Sequence, residues 1–534
     1  MNLKRNDKRN KTIGLKGIVI ALLLTAFVTA LTGITAKAAI RVPLDSSVET
    51  DRNAGTELFD TKCFYKNVLP LNISLSNGQD TSLLKDERYS TSISLSEGTE
   101  IMVKSDTAMH GIYIIWDSHI KEWTLIVNGK DYTYGKYGFL HEYIELPEES
   151  NEVVIKVPAP DNDAEKNISS ARVSDIIAFA NDDLPVWVQK WEPSTDEADI
   201  LVFSTHSDDE HIFMGGVLPI YQAERNVRVQ FAYFTQHWGG EKIREHEKLN
   251  GLWLAGAKYY PILGTFADAY SKTYEGAAET INEDEAELFL TRVIRRTHPQ
   301  VVITQDVNGE YGHGQHIFMT ANVIKAVEDS KNPDYDADSV SQYGTWEVPK
   351  FYIHIYGDDQ TILDMRSPLS YFDGKRAIDV ARQAYLCHQS QQWCDFTVDD
   401  YGPYNCAAFG LYSTTVGEDV QKDDYMENLV SYDEQAEIKR QEEEAARLEE
   451  ERIKAEQEEK ERLEREAAEK IKENEGPDVK PEKPAKEHSL SGMEIFIIIS
   501  AVIVLLMTVG FVVYLVASAQ NKKKRRHRKK RKHH

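Results

Sequence analysis

The sequence predicts an α/β domain built on a parallel β-sheet, with an all-β domain before it and a charged helix after it. Strand-like apolar segments alternate with helical segments between residues 195 and 432. Short segments with alternating polarity dominate residues 39–190. Residues 433–475 consist almost entirely of charged residues, glutamine and alanine. The length of 534 residues is also too great for a single domain.

Residues 39–190 are predicted to form a β-sandwich or jelly roll, because many short strands alternate with turn signals. The clearest signal is Asn128-Gly129, which is typical of a tight hairpin. The predicted strands cover residues 91–96, 100–103, 111–116, 123–127, 152–157 and 172–179. As a whole, the region resembles the galactose-binding-like jelly rolls found beside carbohydrate enzymes. That resemblance implies a carbohydrate-binding role.

Four aromatic residues of this region have two interpretations. Their rings either stack on a bound sugar or pack within the sheet and across strands. These residues are Trp116, Trp123, Tyr132 and Tyr134.

Residues 195–432 are predicted to form a Rossmann-like parallel sheet with helices on both faces. The predicted strands cover residues 200–204, 227–235, 257–263, 300–304 and 350–356, and the predicted helices cover 211–225, 242–255, 286–297 and 316–328. Residues 183–195 contain Pro185 and Pro193 and are predicted to be a linker. Functional sites in such sheets lie beyond the carboxyl ends of the strands.

Polar residues follow two of the predicted strands at that edge. The first segment is H-S-D-D-E at 206–210, and the second is D-V-N-G-E-Y-G-H-G-Q-H at 306–316. His206 and Asp209 are three residues apart, so one helical turn places them on the same face. His316 completes a His–Asp–His set, which leaves a metal ion one open position, as in catalytic sites.

Asp208 lies beside this set and is predicted to stay free of the metal. A bound metal lowers the pKa of its water, and a nearby carboxylate can take the proton.

These motifs resemble those of the PIG-L/LmbE-like N-acetylglucosaminyl deacetylases. Residues 206–210 match the family's first motif, (A)HPDDE, except that Ser207 replaces proline. Residues 311–316 match the second motif, with Gly314-Gln315 in place of Pro-Asp, and H-Q-S-Q at 388–391 matches a third. The resemblance covers residue 199 to about residue 432.

The resemblance implies a zinc-dependent hydrolase that removes acetyl groups from an N-acetylated, GlcNAc-type glycan. The zinc ligands would be His206, Asp209 and His316, although such a donor set also accepts Fe²⁺ or Co²⁺. Two alternatives stay open: a glycan-binding surface protein with little or no activity, and an amidase that acts on a non-sugar amide.

The resemblance also implies roles for other residues of the site. Asp208 would be the general base, a protonated His313 would stabilise the oxyanion or assist the leaving amine, and Tyr311 would polarise the acetyl carbonyl. The implied substrate contacts are Arg244, His388 and Gln391. Glu210 is expected to organise the loop. Ordinary surface or supporting roles are expected for His211, His237, His246 and His298.

Both ends of the chain carry targeting signals. Residues 1–38 have a basic start, an apolar stretch and the A-x-A-type site Ala36-Lys37-Ala38, and are predicted to be a signal peptide or, alternatively, an uncleaved anchor. Residues 493–517 are predicted to be a transmembrane helix. The basic tail at 518–534 indicates a cytoplasmic C-terminus and an extracellular catalytic domain. We expect a single-pass protein on a Gram-positive-type bacterial surface.

Residues 433–475 are predicted to be an exposed helical stalk, because acidic residues precede basic ones by four positions, as in Glu443 and Arg447. Either a lone helix or self-association, as in a coiled coil, fits this pattern. A proline-containing linker at 476–492 follows.

The formal net charge of −25 argues against a nucleic-acid partner. Four cysteines are too few for a disulfide scaffold, and the pairing of Cys387, Cys394 and Cys406 is left open.

Overall fold

The computed structural model describes residues 67–162 and 168–473. The predicted signal peptide, the linker at 476–492, the transmembrane helix at 493–517 and the basic tail all lie outside the described residues. None of the helices in these two ranges has both the length and the apolar composition needed to cross a membrane. The described chain divides between Glu443 and Glu444 into a folded body and the remainder of a charged helix.

The N-terminal region of the body consists of β-strands that belong to one hydrogen-bonded sheet. The strands are β1 (Asn72–Leu75), β2 (Ile93–Leu95), β3 (Glu100–Trp116), β4 (Trp123–Val127), β5 (Lys130–Tyr134), β6 (His141–Lys156) and β7 (Ala171–Phe179). The strand order is β2-β7-β3-β6-β4-β5, and β1 pairs with β3. The β-rich prediction is therefore confirmed, whereas the jelly-roll topology stays a prediction.

One long strand, β3, replaces two short ones expected from the sequence. β3 joins the segments predicted at 100–103 and 111–116, because an irregularity between Lys104 and Met109 lets one strand bend without ending. Its first half pairs with β1 and its last half pairs with β7. The hairpin between β4 and β5 is confirmed. Asn128 and Gly129 both have positive φ, 49° and 77°, which the tight turn requires.

The aromatic residues of this sheet serve packing. Trp116 and Trp123 are buried, and their rings lie 5.7 Å apart. Tyr132 and Tyr134 are partly buried against the same core. The packing interpretation therefore holds, and the sugar-stacking interpretation is corrected for the two tryptophans, whose rings a ligand cannot reach.

The strands of the second sheet are β8 (Ile200–Ser204), β9 (Val229–Gln236), β10 (Ile262–Ala267), β11 (Val301–Thr304), β12 (Lys350–His354), β13 (Gln360–Ile362) and β16 (Ala408–Thr414). Their order in the sheet is β10-β9-β8-β11-β12-β16-β13. The first five strands in this order are parallel, but β16 runs antiparallel to β12 and β13, so the parallel sheet predicted from the sequence is corrected to a mixed one. The short strands β14 (Pro368–Leu369) and β15 (Lys375–Arg376) pair separately.

Helices cover both faces of this sheet. The helices of the body are α1 (Asp209–Ile212), α2 (Ile243–Leu254), α3 (Tyr274–Ala278), α4 (Glu283–Thr297), α5 (Gly314–Ser330), α6 (Ala337–Tyr343) and α7 (Ala377–Tyr385). Leu201 and Phe203 of β8 point to one face, where α4 and α5 pack, and Ile200 and Val202 point to the other, where α2 and α7 pack. Single 3₁₀ turns occur at Ser82–Lys85, Glu310–Gly312, Ser370–Phe372 and Gln389–Gln391.

Two predicted elements differ from the structure. The helix expected at 211–225 is interrupted after α1 and resumes as a π-helix at Leu218–Glu224. Gly215 and Gly216 lie at this interruption, and glycine is a poor helix former. The strand expected at 257–263 begins later, at Ile262, directly after Pro261.

The segment at 183–195, predicted to be a linker, is part of the core. Trp187, Val188 and Trp191 are buried. The ring of Trp191 packs against Trp253 at 5.3 Å and against Tyr260 at 5.6 Å. One hydrophobic cluster thus runs from the first sheet into the second, and the two domains are docked rather than loosely joined.

The charged helix α8 covers Tyr432–Glu473. Its apolar side chains are exposed, and Leu448 and Leu463 are more than half exposed. Ion pairs three and four residues apart, for example from Arg452 to Glu449 and Glu456, line its surface. A helix of this length extends about 60 Å. Self-association through it stays a prediction.

Cys387, Cys394 and Cys406 are free thiols. Cys387 and Cys406 are buried, and burial raises the pKa of both thiols. A buried thiol with a raised pKa is poorly reactive, so these two residues act as small core side chains.

We expect Trp191→Ala to lower the free energy of unfolding by about 3–5 kcal/mol, because it removes a buried ring that packs against Trp253 and Tyr260 of the α/β domain. Chemical denaturation of the full chain measures this. Leu448→Ala is the matched control, since its side chain is 54% exposed on α8. Equal unfolding midpoints for the two variants would contradict the docked arrangement.

Candidate metal and active site

The two polar segments meet because the strands that precede them are neighbours. β8 and β11 pair in parallel, with Val301 beside Ile200 and Ile303 beside Val202. Their carboxyl ends lie at the same edge of the sheet, where His206 follows β8 and Glu310 follows β11. Asp209 opens α1, and His316 lies in the first turn of α5.

Three side chains bring one ligand atom each to a common point. Asp209 Oδ2 is 3.2 Å from His206 Nδ1 and 3.2 Å from His316 Nε2, and the two ring nitrogens are 3.0 Å apart. Ligand atoms of a tetrahedral metal site with bonds of about 2.0–2.1 Å are roughly 3.3 Å apart. The spacing and the donor types of His206, Asp209 and His316 therefore fit a divalent metal ion.

Other polar groups orient the two histidines of this set. Gln315 Oε1 lies 2.8 Å from His206 Nε2, and Glu310 Oε2 lies 2.8 Å from His316 Nδ1. The other carboxylate oxygen of Glu310 is 2.7 Å from His354 Nδ1. Such contacts set the ring orientation and the tautomer of metal-binding histidines. Sequence reasoning missed Glu310 and Gln315, although both lie within the second polar segment, residues 306–316.

His313 lies beside the set and offers an alternative ligand. Nitrogen atoms of His206, His313 and His316 come within 4.8 Å of one another. However, His313 Nδ1 already accepts a hydrogen bond from the Gln315 amide, at 3.2 Å, as the N-cap of α5. The Asp209 set is tighter and carries a negative charge, so it is the better divalent site.

The electrostatics of His313 differ from the sequence-based expectation. Burial, together with the neighbouring rings of His206 and His316, lowers the pKa of His313 to about 3. The ring is therefore neutral near pH 7, not protonated as expected. Because Nδ1 is the acceptor, the proton lies on Nε2, which makes that atom a hydrogen-bond donor.

Asp208 lies on the wall of the open cavity in a rare backbone conformation. Its φ is 108°, which is unfavourable for a residue with a side chain. Its amide donates to Glu210 Oε2 at 2.7 Å. Burial raises the pKa of Asp208 to about 7, although Arg244 Nη2, 3.4 Å from Oδ1, opposes the rise. A carboxylate with this pKa suits general base chemistry near neutral pH.

Glu210 organises the residues beneath the cavity. Glu210 Oε1 is 2.8 Å from His388 Nε2 and 3.4 Å from His211 Nε2, and all three side chains are buried. The placement of His388 differs from the substrate contact expected of it, because its ring lies under the site against Glu210. Gln391, at the end of the same segment, does line the cavity.

The cavity above these residues has a volume of about 880 Å³. Its lining includes His206, Asp208, Arg244, Asp268, Tyr270, Tyr311, His313, Gln391, Trp393 and Asp395. Arg244 donates to the Ser207 carbonyl at 2.6 Å and to Asp268 at 2.8 Å, so the guanidinium is held against the wall. Sequence reasoning missed Asp268. This residue directly follows β10, in the same way that His206 comes shortly after β8.

Residues 201–327 match the family model described as PIG-L, GlcNAc-PI de-N-acetylase. Curated relatives include a 1D-myo-inositol 2-acetamido-2-deoxy-alpha-D-glucopyranoside deacetylase from Frankia casuarinae, 27% identical over 29% of this chain and 57% of its own length. The enzyme of the same description from Rhodococcus erythropolis is 30% identical over 29% of this chain and 59% of its own length. The chain thus spans less than two thirds of these relatives.

Among solved structures, the chain is similar to an N,N'-diacetylchitobiose deacetylase from Pyrococcus horikoshii. The similarity covers 36% of this chain and 70% of that chain, at 18% sequence identity and a TM-score of 0.29. A TM-score this low supports no inference about function.

We expect Asp209→Asn to reduce the bound zinc of the purified full-length protein at least about tenfold, because the set loses its only anionic ligand. Elemental analysis after dialysis against zinc-containing buffer measures this. Asp395→Asn is the matched control, since Asp395 lines the same cavity outside the ligand set. Equal zinc content in both variants would show that Asp209 is not a zinc ligand.

Proposed function

We propose that this protein is a metal-dependent deacetylase that removes the acetyl group from an N-acetylated, GlcNAc-type sugar. The observation that carries the proposal is the triangle of His206, Asp209 and His316 with the carboxylate of Asp208 on the same open cavity. The match of residues 201–327 to the de-N-acetylase model supports the same chemistry.

His206, Asp209 and His316 would hold the ion. A divalent metal supplies Lewis acidity for the amide carbonyl and acidifies a water molecule. Zinc is the metal we propose first, and Fe²⁺ or Co²⁺ also suits two imidazoles and one carboxylate.

Asp208 is the proposed general base. Its pKa of about 7 allows it to accept a proton from the attacking water and to pass it to the leaving amine. Its ion pair with Arg244 and the hydrogen bond from its amide to Glu210 hold the carboxylate in place.

Two further side chains face the developing oxyanion in this proposal. The Nε2–H group of the neutral His313 ring is a donor, and it needs no added proton for that role. Burial and the nearby carboxylates raise the pKa of Tyr311, so its hydroxyl stays protonated and can donate to the acetyl oxygen. We propose Arg244 and Gln391, which line the cavity, as the contacts to the sugar, and His388 as a supporting residue.

We expect Asp208→Asn to lower the rate of acetate release at least about 100-fold, since the amide cannot accept the proton. The assay uses N-acetylglucosamine oligosaccharides with the zinc-loaded full chain. The zinc content should stay at the wild-type level, because Asp208 is outside the ligand set, and Asp395→Asn should keep both activity and zinc. Wild-type rates for Asp208→Asn would exclude the proposed mechanism.

We also propose that the catalytic domain lies outside a bacterial cell, joined to the membrane by residues 493–517. The apolar and basic patterns at both ends of the sequence support this. We expect protease added to intact cells to remove the catalytic domain. Deletion of residues 493–517 should release the protein into the medium. Protection of the domain in intact cells would contradict the proposed topology.

A further inference from the structure

A second cavity lies between the N-terminal sheet and the α/β domain. We call it the interdomain cleft, and its volume is about 880 Å³. The N-terminal domain contributes residues such as Tyr137 and Phe139, and the α/β domain contributes residues such as Leu263 and Arg296. Clefts at domain interfaces are frequent ligand sites. The docked segment at 183–195 keeps the two walls of this cleft together.

An exposed aromatic platform forms one wall of the cleft. The Tyr137 ring is 53% exposed and stacks on Phe139, with ring centres 5.6 Å apart and planes at 23°. Phe139 in turn packs against Tyr260 at 4.8 Å, which anchors the platform to the α/β domain. The Lys136 ammonium lies 5.2 Å from the centre of the Tyr137 ring and adds a hydrogen-bond donor there.

The polar groups around this platform carry both signs of charge. Lys121, Glu122, Asp196 and Arg296 belong to the lining. A mixture of donors and acceptors around an apolar ring suits an uncharged ligand with many hydroxyl groups and one apolar face. A sugar ring has these properties, whereas a polyanion would meet the carboxylates.

The cleft and the cavity that holds Asp208 lie at the two ends of one edge strand. Leu263 of β10 lines the cleft and Ala267 of β10 lines the cavity, which places them about 13 Å apart along the strand. The ring of His119, which lines the cleft, lies 4.8 Å from the ring of Trp238, whose chain neighbours His237 and Gly239 line the cavity. This distance along the strand is longer than a single sugar ring.

The mouth of the cavity also carries aromatic side chains. Trp393 is 79% exposed and Tyr270 is 69% exposed, and both belong to its lining. Exposed rings of this size at the rim offer stacking surfaces for sugar units beyond the reacting one.

We propose that the substrate is a linear glycan of several sugar units and that the interdomain cleft binds units remote from the reacting one through Tyr137. The proposal rests on the proposed deacetylase function and identifies its substrate as a chain rather than a single sugar. The N-terminal domain then contributes directly to substrate binding, through the cleft instead of its buried tryptophans.

The test compares Tyr137→Ala with the wild-type full chain on N-acetylglucosamine oligomers from the monosaccharide to the hexasaccharide. We expect kcat/KM of the wild type to rise with length. Tyr137→Ala should lower kcat/KM for the hexasaccharide about five- to tenfold and leave the value for the shortest active oligomer unchanged. Tyr412→Ala is the matched control, because Tyr412 is also partly exposed and packs on another aromatic ring, Tyr356, away from both cavities.

Two outcomes separate this inference from the proposed function. Acetate release that is independent of length, or equally affected by Tyr137→Ala at every length, would overturn the cleft proposal and leave the deacetylase intact. If no oligomer loses acetate, the deacetylase proposal fails. Calorimetric binding of the hexasaccharide then decides the cleft: weaker binding by Tyr137→Ala than by Tyr412→Ala supports it, and equal binding overturns it.

Discussion

The arrangement of the site depends on one buried charge, the carboxylate of Asp209. A buried carboxylate must be paired, since an isolated charge in a protein interior is strongly unfavourable. Although burial opposes ionisation, His316 and His206 hold the pKa of Asp209 well below its usual value. Glu310 is a second buried carboxylate that is paired with histidines. It contacts His316 through one oxygen and His354, at the end of β12, through the other. Three adjacent parallel strands are thereby tied together at the edge where the cavity opens.

The positions that differ from the motifs of the deacetylase family that the sequence resembles keep these contacts. Gln315 stands where aspartate is expected, and its side-chain oxygen contacts His206 while its backbone amide donates to His313. Gly314 lies where a side chain would collide with the backbone of Thr273, so this position requires glycine. Ser207 contacts its neighbours through its backbone: its carbonyl accepts from Arg244 at 2.6 Å, and its amide donates to His237 Nε2 at 3.5 Å. Nothing in the structure explains the Ser207 hydroxyl.

The docking of the two domains has its own polar constraint. His141 Nε2 lies 2.7 Å from His246 Nδ1, so a histidine of the first sheet contacts one of α2. His246 in turn approaches Asp117. Burial alone would raise the pKa of Asp117, but His246 and Lys242 lower it to about 2. His246, expected to have an ordinary role, therefore belongs to the interface. Buried contacts of this kind allow one relative placement of the domains, which is what a cleft shared between them requires.

Local patterns were enough to predict the elements that local physics controls. The turn at Asn128-Gly129 follows from backbone conformation, and the place of His206 after a buried strand follows from hydrophobic pattern. The order of the motifs along alternating strands and helices also indicated that His206 and His316 would meet at one sheet edge.

Tertiary structure decided whatever depends on burial and on partners distant in the chain. Pro185 and Pro193 indicate a loop, but only packing against the second domain shows that Trp191 between them is core. The sequence around His388 would be the same if its ring faced a substrate, so only the structure shows that the ring contacts Glu210. The protonation of His313 depends on neighbours that its own sequence context does not reveal. A sequence pattern specifies which groups are available, and the solvent exclusion that sets their charge arises only when remote segments pack together.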